Sequence, residues 1–144
     1  MNEGTNEDIN YVDTNIVIHN LIADPRLGER AKQHLIKTSK GEQRAYSSVH
    51  LLTEVYAFLK GVDLPEQVIA KRLTQVLAYG IKLLPLTAEI VIDVPEYMEK
   101  GWKYGDTIHY LTMKQNKITK IVTDDKFYDR QKDITRIDLT KQTI

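Results

Sequence analysis

Apolar residues recur along the chain in two rhythms. Short strand-like runs at residues 9–12, 44–47, 81–84, 120–123 and 134–139 alternate with longer stretches whose apolar positions return every three to four residues. Ile16, Ile18, Leu21 and Ile22 mark a first helix, opened by Asp13-Thr14 as a cap and broken by Asp24-Pro25. A more polar helix is predicted over 26–40, closing at Gly41. Ser48 caps a third, with Leu51, Leu52, Val55, Phe58 and Leu59 on one face and Gly61 at its end. Pro65 opens the next, whose stripe is Val68, Ile69, Leu73, Val76 and Leu77, with Gly80 beyond it. Thr87 caps a helix that Pro95 is expected to kink or shorten, and a last helix is predicted from about Thr107 to Asn116 with Asp106 at its start.

Strands alternating with helices predict an α/β fold with a mostly parallel sheet of four or five strands, the run at 134–139 lying at an edge. Neither a repeat nor a linker divides the 144 residues, so one domain with its core over about 9–140 is expected. No apolar run reaches the ~18 to 20 residues of a membrane span, and the polar, acidic start is unlike a secretory leader.

Charge changes this picture locally. Twenty Lys and Arg balance twenty Asp and Glu, which excludes a globally basic polyanion clamp. Residues 1–29 nevertheless carry six acids against one base, and residues 100–132 eight bases against four acids. The absence of cysteine excludes disulfides, thiol nucleophiles and iron–sulfur chemistry, and the expected home is a reducing cytoplasm. No Gly-x-Ser-x-Gly elbow, phosphate-cradling glycine loop or dinucleotide fingerprint occurs.

Open parallel sheets bind ligands outside the carboxyl ends of their strands. Asp13 follows the first strand, Asp124 and Asp125 follow the late one, Asp106 starts a helix, and Glu54 sits about two turns into the helix after Ser48. Each has a plainer reading: Asp13 and Asp106 as helix caps, Asp124-Asp125 as a turn. Glu54 is harder to explain that way, because a lone carboxylate among Leu51, Leu52, Val55 and Phe58 is costly to bury. Gathered together, these acids would raise one another's pKa unless a cation compensated, and an all-oxygen set without cysteine or paired histidines suits Mg²⁺ or Mn²⁺ rather than zinc. His19, His50 and His109 fall in helices among apolar neighbours and read as structural histidines; His34 adds no motif.

Taken in order, Ile9-Asn10-Tyr11-Val12-Asp13-Thr14-Asn15, Ser47-Ser48 with Glu54, Gly105-Asp106, and Val122-Thr123-Asp124-Asp125-Lys126-Phe127 resemble a PIN domain, and among PIN domains the VapC-type toxin ribonucleases. The resemblance covers about residues 10–139. It implies an α/β/α sandwich around a parallel sheet of four or five strands, and a metal-dependent nuclease site. The family acids fall on Asp13, Glu54, Asp106 and Asp125, with adjacent Asp124 as a further metal ligand or as the fourth acid in place of Asp125. Thr14, Asn15 and Thr123 match the small polar residues beside those acids and are candidate substrate-binding residues, and Phe127 matches a position usually spaced slightly further on.

The implied reaction is hydrolysis of RNA phosphodiesters by water activated with one or two Mg²⁺ or Mn²⁺ ions, leaving a 5′-phosphate and a 3′-hydroxyl. Lys103, Lys126 and Arg130 are the candidate bases for the RNA backbone, and Tyr46, Trp102 and Tyr104 the candidate stacking aromatics, weighed against ordinary core or rim roles. The resemblance also implies a cognate antitoxin and a homodimer, with the helix at 65–79 and the one before it as apolar surfaces. The alternatives are a PIN-like scaffold that binds RNA or protein without cutting it, or a stand-alone RNA-processing nuclease.

Overall fold

A computed structural model describes residues 9–141. The acidic start with Glu3, Glu7 and Asp8 lies outside the described residues. Five strands form one sheet: β1 (Ile9–Val12), β2 (Arg44–Ser48), β3 (Lys82–Leu84), β4 (Lys120–Val122) and β5 (Thr135–Ile137). Their order is β3-β2-β1-β4-β5 and every pairing is parallel. The predicted edge position of the last strand is borne out. Tyr11 lies opposite Tyr46 on one side and Ile121 on the other.

Among the described residues six α-helices flank the sheet: α1 (Thr14–Leu21), α2 (Gly28–Ser39), α3 (His50–Gly61), α4 (Glu66–Leu77), α5 (Ala88–Glu99) and α6 (Tyr104–Gln115). Strand alternation divides the core between two faces. Val12, Ala45 and Val122 pack with the apolar faces of α1 to α4, including Ile16, Leu35, Val55 and Ile69. Their neighbours Tyr11, Tyr46 and Ile121 point the other way, toward Met113 of α6 and Tyr128. Ile90 and Val94 of α5 close against Ile108 of α6.

Three expectations are corrected. Of the kink or shortening expected from Pro95, the shortening does not occur: α5 runs through it to Glu99. Both Pro95 and Val91, whose carbonyl would have received the missing N–H, are exposed, so water can meet that oxygen. α6 begins at Tyr104, which puts Asp106 inside the first turn instead of before it. Asp13 occupies the N-cap position of α1, yet its side chain makes no capping hydrogen bond. That carboxylate is turned elsewhere.

β1 and β4 are adjacent, and the chain runs from β1 toward β2 and β3 on one side before returning to β4 and β5 on the other. This is the topological switch point of the sheet, where loops part and leave a crevice at the carboxyl ends. Asp13 leaves β1 into that crevice, its N–H bonded to the carbonyl of Val122 at 3.0 Å.

Candidate active site

Asp13 is buried with its carboxylate held from two sides. Oδ2 accepts from Thr123 Oγ1 at 2.7 Å and from Asn15 Nδ2 at 3.3 Å, and Asn15 Nδ2 also reaches Thr123 Oγ1 at 3.2 Å. Thr123 Oγ1 in turn accepts from the Asp125 N–H at 3.0 Å, so the turn after β4 is tied to the acid after β1. Burial raises the pKa of Asp13, opposed by nearby His109 and the Thr123 hydroxyl. These bonds fix the orientation of Asp13 against its solvation penalty.

Asp106 projects from the first turn of α6, where the helix dipole favours an anion. Its pKa is pushed up to about 6 by burial and by the charges of Asp125 and Asp13. That coupling places Asp125 and Asp13 within electrostatic reach of Asp106. Asp125 has one oxygen engaged, Oδ1 accepting from the Phe127 N–H at 2.9 Å in the turn that opens a short 3₁₀ helix over Lys126–Arg130. The plain turn reading of this residue is therefore true of one oxygen.

The other two acids are engaged elsewhere. Asp124 accepts from the Arg26 guanidinium and lies 3.5 Å from His19 Nε2, on the side of the α1–α2 loop. Glu54 Oε1 accepts from Thr14 Oγ1 at 2.5 Å and bonds His109 Nε2 at 2.6 Å. Burial works against the Glu54 carboxylate, but the His109 bond, the His109 charge and the Thr14 hydroxyl outweigh it and lower its pKa. Its other oxygen lies beside Gly105, where a Cβ would collide with it. Among the described residues no three His, Cys, Asp or Glu side chains stand at distances that already enclose an ion. With Glu54 drawn to His109 and Asp124 to Arg26, the charge cluster is Asp13, Asp106 and Asp125. Its donors are all hard oxygens. The Asp106 carboxylate, with no hydrogen-bond donor of its own among the described residues and its proton affinity raised by like charges, is what a divalent cation would relieve.

The PIN domain family model matches residues 11–133. The chain belongs to the PIN domain family. No curated protein matches it. Among solved structures, VapBC2 from Rickettsia felis, bound to a DNA fragment from its promoter, superposes with a TM-score of 0.68 at 13% identity, over 90% of this chain and 97% of that one. A toxin–antitoxin complex from Klebsiella pneumoniae gives 0.62 at 16% identity, over 90% and 97%. VapC20 from Mycobacterium tuberculosis, a sarcin-ricin loop cleaving toxin, gives 0.65 at 16%, over 84% and 92%.

The predicted bases of this PIN domain stand in the open. Lys103, Lys126 and Arg130 are exposed, and Lys103 acts on the charge of Asp106. Thr14, expected beside the substrate, is buried with its hydroxyl on Glu54. Of the aromatics, Trp102 is packed edge-on between Tyr97, Tyr110 and Phe127, and Tyr46 lies in the sheet under Lys82. Tyr104 alone of the three is exposed, its ring edge-on to His50 at 5.8 Å between centroids.

His109 and Gly105 are the residues that sequence reasoning missed. His109 is fully buried, yet it bonds the Glu54 carboxylate and not core groups alone. The available signal was spacing: residues 106 and 109 are one helical turn apart and share a face.

Proposed function

We propose that this PIN domain is a divalent-metal-dependent endoribonuclease, the toxin of a VapBC-type pair. The observation that carries the reading is the mutual charge of Asp13, Asp106 and Asp125 in the crevice between β1 and β4. Burial, together with the charges of Asp125 and Asp13, raises the pKa of Asp106 to about 6 against the opposing pull of His109 and Lys103.

Asp13, Asp106 and Asp125 would hold the ion, with Glu54 beside them. When bound, Mg²⁺ or Mn²⁺ supplies Lewis-acid stabilisation of the scissile phosphate and lowers the pKa of water. Thr123 and Asn15 keep Asp13 aimed into the crevice. Lys103, Lys126 and Arg130 provide the positive rim that a polyanionic strand needs beside an acidic pocket. Tyr104 offers an exposed ring for an unpaired base. The VapBC complexes and the sarcin-ricin loop cleaving toxin among the structural neighbours support an RNA substrate and an antitoxin partner.

A single nuclease domain acting in the cytoplasm is consistent with the lack of cysteine and with the absence of any helix, among the described residues, long and apolar enough to cross a membrane. For the homodimer, exposed apolar residues lie on α5 (Val91, Ile92 and Met98) and on α4 and the two ends of α3 (Leu77, Val49 and Val62). Incubation with structured RNA and Mn²⁺, with and without EDTA, tests the activity. Cleavage that EDTA abolishes is expected; RNA binding without cleavage would favour a scaffold.

A further inference from the structure

Glu54 is the one family-type acid whose carboxylate is not left to the crevice. Three buried groups from three elements hold it. Tyr11 from β1 is fully buried and its hydroxyl lies 2.6 Å from His109 Nδ1. His109 from α6 presents Nε2 to Glu54 Oε1, also at 2.6 Å, and Thr14 from α1 donates its hydroxyl to that same oxygen. Thr14 Oγ1 and His109 Nε2 are themselves 3.2 Å apart, and Asp13 Oδ1 lies 3.8 Å from His109 Nε2.

The chemistry of imidazole gives this chain a direction. A neutral histidine has one N–H and one lone pair, and the bond at one nitrogen decides which face carries the hydrogen. The Glu54 carboxylate at 2.6 Å can only accept, so Nε2 carries the hydrogen; in the neutral ring Nδ1 then accepts from the Tyr11 hydroxyl, and in the imidazolium, which Glu54 and Asp13 favour against burial, Nδ1–H donates to it. In either form a lone pair never faces the carboxylate. Oε1 then receives two donors, which fills its lone pairs, while Oε2 accepts no hydrogen bond among the described residues and stands 3.8 Å from His50 Nε2 beside Gly105.

We infer that Tyr11, His109 and Thr14 form a positioning clamp that fixes Glu54 through Oε1 and reserves Oε2 as its one functional oxygen. His109 is thus a positioning residue in the sense that outer partners orient metal-binding side chains, here acting on the carboxylate rather than on the ion. The inference rests on the nuclease reading for what Oε2 serves, but the clamp itself is independent of any ion.

Two measurements on the full chain separate the clamp from the metal reading. The first is metal-free NMR of the ¹⁵N-labelled imidazoles. An exchange-protected Nε2–H of His109 is expected, shifted in Tyr11→Phe and in Glu54→Gln; a lone pair at Nε2, or a resonance indifferent to both variants, overturns the clamp. The second is calorimetric Mn²⁺ binding. His109→Leu is expected to weaken Mn²⁺ binding by about 10-fold or more, the usual effect of losing an outer partner, and His109→Gln, which keeps a donor toward Glu54, to recover most of it. Melting curves establish that each variant is folded, with Tyr11→Phe, close to the same volume, serving if His109→Leu is not. Equal Mn²⁺ affinity in wild type and a folded clamp variant overturns the positioning role. Failure of the wild type to bind Mn²⁺ overturns the metal reading and the assignment of Oε2, while the imidazole resonance still decides the clamp.

Discussion

The backbone of Gly105 and the side chain of Glu54 occupy touching space: a Cβ on residue 105 would overlap Glu54 Oε2. The contact joins the start of α6 to the middle of α3, immediately before Asp106. Gly105 has no positive φ, so alanine there fits the helix and would by propensity favour it by about 1 kcal/mol. Glu54 cannot simply swing away, because Oε1 is held by Thr14 and His109. Gly105→Ala is therefore expected to lower Tm, the overlap outweighing the helix gain, and to cut cleavage and Mn²⁺ affinity. Thermal melts and a cleavage assay on the same preparation check both halves.

Asp13 is expected to show the opposing demands of stability and function. Burial raises its pKa, so the charge is unfavourable where it sits. Asp13→Asn keeps an oxygen for Thr123 and Asn15 and removes that charge. Tm should hold or rise, and cleavage should fall by at least about 100-fold, the scale of losing one preorganised electrostatic group.

The pKa of Asp106 gives a pH signature with a definite sign. Its folded value of about 6 lies above the ordinary carboxylate value of 3.8, so the folded protein holds this proton more tightly than the unfolded chain. The resulting stability is fully present below about pH 4 and is lost as pH rises through about 6. Asp106→Asn removes that loss. Without metal, the variant should gain on wild type between pH 4 and 7, by on the order of 1 kcal/mol after discounting for the partly exposed side chain. Mn²⁺ should reverse the order, and its affinity for wild type should fall as pH drops below about 6. Melts at several pH values, with and without Mn²⁺, read both effects.

Adjacent aspartates should behave differently. Asp124 is paired with Arg26 at the surface, where such a pair contributes about 0–1 kcal/mol. Asp125 acts on Asp106. Asp124→Asn should leave Mn²⁺ affinity nearly unchanged, and Asp125→Asn should weaken it severely. Calorimetric titration of the two variants distinguishes them.

Much of the fold was legible because it rests on local periodicity. Val12, Ala45 and Val122 alternate with Tyr11, Tyr46 and Ile121, and Gly41 ends α2 with φ at 77° as a helix stop requires. Asp13, Asp106 and Asp125 were legible from their positions after strands or at a helix start. What stayed hidden depends on distant contacts. His109 meets Glu54 across 55 positions and Tyr11 across 98, and Arg26 takes Asp124 across 98. A buried histidine looks the same in sequence whether it bonds a core hydroxyl or a site carboxylate. Gly105 looked like an ordinary helix-opening glycine until α3 was packed against it. Pro95 did not shorten its helix as expected, because a proline ends a helix only where the turn before it cannot tolerate the lost hydrogen bond.

A crystal soaked in Mn²⁺ and measured at the manganese absorption edge tests most directly whether these carboxylates share a cation. One or two anomalous peaks are expected in the crevice between β1 and β4, within coordination distance of oxygens from Asp13, Asp106 and Asp125. Manganese bound only elsewhere, or no peak at a saturating concentration, would contradict it.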